Sequence, residues 1–165
     1  MTFEEFKGWT PVPFPLAEDS LPKEPGLYAW FLGETPFWVG QTDNVWRRTS
    51  QDQRAKCKNG ADRRNWFKNC DTDYDVGTTV ECLSTNGDGQ PITLKFIQNA
   101  GTESEREKEE EKIIRSLLLK RIILLNFLTG CCRTETEEEE REALRRFCEM
   151  LCGRGARCPT SLLPT

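Results

Sequence analysis

Two features of the chain predict an α/β fold of the α+β kind, with a small, mainly antiparallel central sheet flanked by helices. Short runs of aromatic and β-branched residues, bounded by Gly, Pro and Asn, recur with the period of strands. Between and after them, apolar residues return at helical spacing. The elements read in the order β-β-α-α-β-β-α-α, and no linker-like change of composition divides the 165 residues. One core domain over 26–128 is expected, with an extended arm over 1–25 and a helical extension over 129–165.

The opening, 11-PVPFPLAEDSLPKEP-25, holds five of the nine prolines and reads as an arm laid on the surface by Phe14 and Leu16. Residues 27-LYAWFL-32 and 37-FWV-39 form a hairpin, with Gly33, Glu34, Thr35 and Pro36 as its loop. Asp43 or Thr42 is placed to cap a helix over 44–57. A short helix over 62–69 follows, anchored by Trp66 and Phe67. Strands are expected over 77–83 and 92–97, separated by the turn signal Asn86-Gly87-Asp88-Gly89. From Thr102 the period becomes helical: Ser104 can cap, glutamates crowd the first turns where the macrodipole favours them, and Ile113, Ile114, Leu117 and Leu118 share a face. This helix is expected to end before Asn126. A last amphipathic helix over 136–151 carries Leu144, Phe147, Cys148 and Leu151 on one face and stops at Gly153.

Hydrophobic residues make 36% and charged residues 30% of the chain. The most apolar run, 113–128, is interrupted by Arg115, Lys120 and Arg121, so no membrane span is expected. The N-terminus has no apolar signal segment, and the expected location is cytoplasmic with the eight cysteines reduced. Cys131, Cys132, Cys148, Cys152 and Cys158 cluster late, but without a Cys-x2-Cys pair or any histidine they do not suggest structural zinc. The net charge of −4 hides a basic stripe: Arg47, Arg48, Arg54, Lys56, Lys58, Arg63, Arg64 and Lys68 stand against Asp52 and Asp62 alone. Interleaved with Trp46, Trp66 and Phe67, these cations suit a nucleic-acid backbone, and equally a solvated helix face.

The sequence Gly26-Leu27-Tyr28, nine intervening residues, then Trp38-Val39-Gly40 resembles the GIY-YIG nuclease superfamily, whose two namesake tripeptides lie on adjacent strands. The resemblance continues through Gln41-Thr42, Asn44 and Arg48, through 105-EREKEEEKII-114, and to Asn126, the counterpart of the asparagine that closes the family core. It implies a DNA endonuclease that requires Mg²⁺ (or Mn²⁺), with Tyr28 as general base, Arg48 as phosphate clamp and Glu110 as metal ligand. Gly26, Trp38, Gly40, Thr42, Asn44 and Asn126 would support that site. Trp38 stands where the family carries a tyrosine, and Gln41 where many relatives have lysine.

The chemistry asks for the same types of group. Phosphodiester hydrolysis needs a proton acceptor for water, an offset for charge on the phosphoryl oxygens and stabilisation of the leaving alkoxide. A tyrosine beside a cation suits the first task and an always-charged, bidentate arginine the second. One carboxylate holding a largely hydrated Mg²⁺ suits the third. Read singly, Tyr28 is hairpin packing, Arg48 a surface cation and Glu110 one of six glutamates over 103–111; their joint spacing carries the functional reading. Glu107 and Glu111 are alternatives to Glu110, which lies three and four residues before the core-facing Ile113 and Ile114. The competing function is a non-catalytic module of the same fold that binds nucleic acid or a protein.

Overall fold

The computed structural model describes residues 3–54 and 91–122, with Leu124 and Asn126. They contain four strands, β1 (Thr10–Pro13), β2 (Gly26–Leu32), β3 (Thr35–Thr42) and β4 (Ile92–Gln98), and two helices, α1 (Val45–Arg54) and α2 (Glu103–Leu119). All four strands pair antiparallel in one sheet ordered β1-β4-β2-β3, so the expected α+β fold is present. No helix among the described residues is long and apolar enough to cross a membrane. The segments 62–69, 77–83 and 129–165, and all the cysteines, lie outside the described residues.

The central strand β2 is buried along its whole length, which explains its unbroken apolar run. One face, with Leu27, Ala29 and Val39, packs against Ile113, Ile114 and Leu117 of α2. Phe6 joins this core, edge-to-face on Phe31 with ring centres 5.0 Å apart. By the alternation of a strand, Gly26, Tyr28 and Trp30 take the other face, where Val45 of α1 packs against Gly26. A Cβ at Gly26 would lie 2.5 Å from the Ile97 carbonyl oxygen and 2.9 Å from Val45, so only glycine lets α1 approach so closely.

Several local expectations are corrected. The arm does more than cover a surface, because Thr10–Pro13 is an edge strand of the sheet. The Phe14 N–H donates to the Ile92 carbonyl at 3.3 Å, so Pro11 and Pro13, which have no N–H, turn their nitrogens to the open edge. In the hairpin Leu32 pairs with Thr35, leaving only Gly33 and Glu34 as the loop, and Gly33 takes a positive φ of 58°. Thr35 and Pro36 belong to β3, and a register shift between Trp30 and Phe31 accommodates the proline.

The cap of α1 is Asn44, not Asp43 or Thr42: its Oδ1 accepts the Arg47 N–H at 2.8 Å, while Thr42 Oγ1 accepts the Asn44 N–H at 3.1 Å. The next free donors of the helix, on Val45 and Trp46, are met by carbonyls of the arm, Glu24 and Pro22, each at 3.0 Å. Thr102, not Ser104, caps α2 in a reciprocal capping box with Glu105. That helix ends at Leu119, well before Asn126. Arg121 adopts φ 63°, and the N–H groups of Arg121 and Ile122 return to the carbonyls of Leu118 and Leu117, each at 2.9 Å. This termination turns the chain back toward β3.

Candidate active site

Tyr28 sits on the central strand, opposite Gly40 of β3 and Phe96 of β4. Its side chain is 1% exposed. The ring lies against Gly40 so closely that a Cβ there would stand 2.5 Å from Cζ and 2.6 Å from the hydroxyl oxygen. Residue 40 is therefore glycine because the phenol occupies the space a side chain would fill. Arg48, on the exposed flank of α1, donates from Nε to the Tyr28 hydroxyl oxygen at 3.2 Å. The bond joins a buried oxygen to a group at the surface. Its geometry depends on the cap at Asn44 and on the arm carbonyls that hold the start of α1.

Glu110 reaches the site from the other side of the sheet. It is half-buried, and the backbone N–H of Gln41, the residue next to Gly40, is near enough to favour its ionised form. Burial, together with the charge of Glu107, pushes its carboxyl up to about 7, against the partial relief given by the Gln41 N–H. The alternatives are placed differently: Glu107 is exposed, and Glu111 is held at 2.7 Å by Arg115 in a surface pair. Of these three acids, Glu110 is the one half-buried at the sheet.

Two residues along β3, Asn126 bonds both polar groups of Val39, accepting its N–H at 3.0 Å and donating to its carbonyl at 2.7 Å. Asn126 thus closes the outer edge of β3 at Val39, which would otherwise present unpaired backbone groups. Trp38 pairs with Trp30 on the face that carries Tyr28. It is 7% exposed, and its indole N–H has no hydrogen-bond partner among the described residues. Donor-only chemistry leaves it unable to take a proton.

The structure thus brings Tyr28 into direct contact with both Gly40 and Arg48 and sets Glu110 near the backbone of Gln41, the residue after Gly40. Gly26, Thr42, Asn44 and Asn126 hold the supporting backbone. Arg47 points elsewhere, paired with Asp43. Arg54 closes α1, and Lys56, Lys58, Arg63, Arg64 and Lys68 lie outside the described residues.

One contributor escaped the sequence reading. Arg106 is 5% exposed, buried within what reads as a solvated run of charges, and it bonds the Gln41 side chain at 3.2 Å. In the sequence it stands in the stretch 105–114 that carries the family resemblance, one helical turn before Glu110, and was given no role there. For a divalent cation the available ligand is the hard carboxylate of Glu110, with Glu107 near enough to influence its charge. No cluster of three or more His, Cys, Asp or Glu side chains suited to a metal occurs among the described residues. No family model, no curated protein and no solved structure matches the chain.

Proposed function

We propose that the protein is a GIY-YIG-like, divalent-metal-dependent DNA endonuclease that hydrolyses phosphodiester bonds. The observation that carries this reading is the Arg48–Tyr28 bond of 3.2 Å, made over a glycine with no room for a Cβ. A charged N–H donor stabilises a phenolate oxygen more than a phenol oxygen, so Tyr28 is equipped to take the proton of an attacking water. Arg48 stays charged at working pH and offers its guanidinium to the phosphoryl oxygens. Glu110 would hold Mg²⁺ (or Mn²⁺), a fit supported by its being an oxygen donor whose ionised form, disfavoured by burial, a cation stabilises. When bound, the cation supplies charge neutralisation at the phosphate and the leaving oxygen.

A second reading, a non-catalytic nucleic-acid or protein-binding module, is favoured by one feature. Trp38 cannot do what a phenol would do at its place. Incubation of supercoiled plasmid with the protein and Mg²⁺ or Mn²⁺ separates the two. The endonuclease nicks or linearises the plasmid, stops with EDTA, and loses about 100-fold or more in rate in Arg48→Ala and Glu110→Ala. Intact plasmid with the wild-type protein, or undiminished cleavage by those variants, would overturn the proposal.

A further inference from the structure

Helix α1 has little of its own to hold it in place. It is 10 residues long, VWRRTSQDQR, and its only apolar residues are the first two, Val45 and Trp46. A helix so short and so polar takes its position from contacts at its apolar end. Val45 is fully buried against Gly26, and the N–H groups of the same two residues donate to the arm, Val45 to the Glu24 carbonyl and Trp46 to the Pro22 carbonyl, each at 3.0 Å. At this point the arm is itself tied to the end of β4. The Pro25 carbonyl accepts the Asn99 N–H at 3.0 Å, and Gln98 donates from Nε2 to Glu24 Oε2 at 3.1 Å. Glu24 therefore joins α1 by its backbone and β4 by its side chain. Arg48, whose Nε donates to the Tyr28 hydroxyl oxygen at 3.2 Å, lies one turn beyond Val45.

We infer that the arm is part of the site and that Glu24 is a positioning residue: clamped between Val45 and Gln98, it sets the placement of α1 at which Arg48 meets Tyr28. The catalytic part of this inference rests on the function proposed above; the placement of Arg48 does not. The N–H groups of Val45, Trp46 and Arg47 are spent on Glu24, Pro22 and Asn44, so the first turn of α1 serves the fold and charge at a phosphate is left to the Arg48 side chain. A carbonyl cannot be deleted by substitution, but its donor can. Val45 is the first residue of α1, where proline suits a helix and removes the N–H.

The test compares Val45→Pro with Val45→Ala, which keeps the N–H and sets the cost of the smaller side chain. Exchange of the Arg48 Nε proton is read by NMR, with the Val39 amide, held independently by Asn126, as the control. The Arg48 proton should exchange about fivefold faster in Val45→Pro than in Val45→Ala, the equivalent of one net hydrogen bond. Val39 should differ by less than about twofold. Glu24→Ala should speed the Arg48 proton by about twofold over wild type, as befits an exposed bond, and Glu24→Gln should restore it. These two variants touch no core residue and keep the test intact should Val45→Pro fail to fold. Single-turnover cleavage of bound DNA in Mg²⁺ should be about tenfold slower in Val45→Pro than in Val45→Ala, a larger change than in DNA affinity. Equal Arg48 exchange in Val45→Pro and Val45→Ala would overturn the inference, as would equal acceleration at Val39, which would mean general loosening. Glu24→Gln as fast as Glu24→Ala, or undiminished cleavage by Val45→Pro, would also overturn it. If wild type cleaves no DNA, the nuclease reading fails, while Arg48 exchange still judges the clamp at Glu24.

Discussion

Glu110 combines two demands that oppose each other: the nearby backbone N–H of Gln41 favours the ionised carboxylate, and half-burial beside Glu107 disfavours it. Burial and Glu107 prevail, and its carboxyl rises from the ordinary 4.5 to about 7. The folded chain then keeps a proton that the unfolded chain has already released. Without metal, the stability that depends on this group is fully present below about pH 4.5 and falls as pH rises toward 7. Urea unfolding should therefore show wild type losing about 2 kcal/mol relative to Glu110→Gln between those limits, from roughly 1.4 kcal/mol per unit discounted for partial exposure. Added Mg²⁺ should remove the loss, since a ligand of the ionised form restores it by mass action. Parallel pH profiles for the two proteins would show that Glu110 titrates like an exposed acid. Gly40 meets a stricter demand at the same scale, because it leaves the Tyr28 ring the space it occupies.

Among the elements, β3 is the one on which the site hangs. Its inner edge pairs with β2, and its outer edge is closed at Val39 by the side chain of Asn126. Both bonds of Asn126 are buried, so Asn126→Ala should destabilise the fold by about 2–4 kcal/mol by leaving two backbone groups unpaired. Asn126→Asp should also destabilise, because a carboxylate can accept the Val39 N–H but cannot donate to its carbonyl. Thermal or denaturant unfolding of both variants checks this, and stability equal to wild type in Asn126→Asp would mean the edge is closed by something else. The helices act as carriers. α1 brings Arg48 to Tyr28, with its start held by Asn44 and the arm; α2 brings Glu110 to β3, with its end set by Arg121.

Across the whole molecule, the parts legible in the sequence were those specified locally. The hairpin, the two glycines and the apolar stripe of α2 each follow from a short pattern. The strand at Thr10–Pro13 was hidden because prolines read as an arm until a partner strand shows that their nitrogens face an open edge. The end of α2 before Asn126 was expected, and its place at Leu119 is set by Arg121, which takes the left-handed conformation although it is neither Gly nor Asn. The caps were misplaced by one or two residues, since several adjacent side chains had suitable oxygens. Arg106 was lost in a charge run because burial is decided by which face of a helix meets the sheet. Of the site, Tyr28, Gly40 and Arg48 were grouped by the resemblance to the GIY-YIG superfamily, whereas the contact of the Tyr28 ring with Gly40 and its bond to Arg48 required the fold.

The central claim is that the Tyr28 hydroxyl, held by Arg48, takes part in breaking a phosphodiester bond. Tyr28→Phe removes that one oxygen and keeps the ring against Gly40, so it is the most direct test. Single-turnover cleavage of a labelled DNA duplex in Mg²⁺ should be slower in Tyr28→Phe by about 100- to 10,000-fold, the usual worth of a general base, with DNA affinity unchanged. Cleavage by Tyr28→Phe within about twofold of wild type, a change too small for the loss of a general base, would contradict the account.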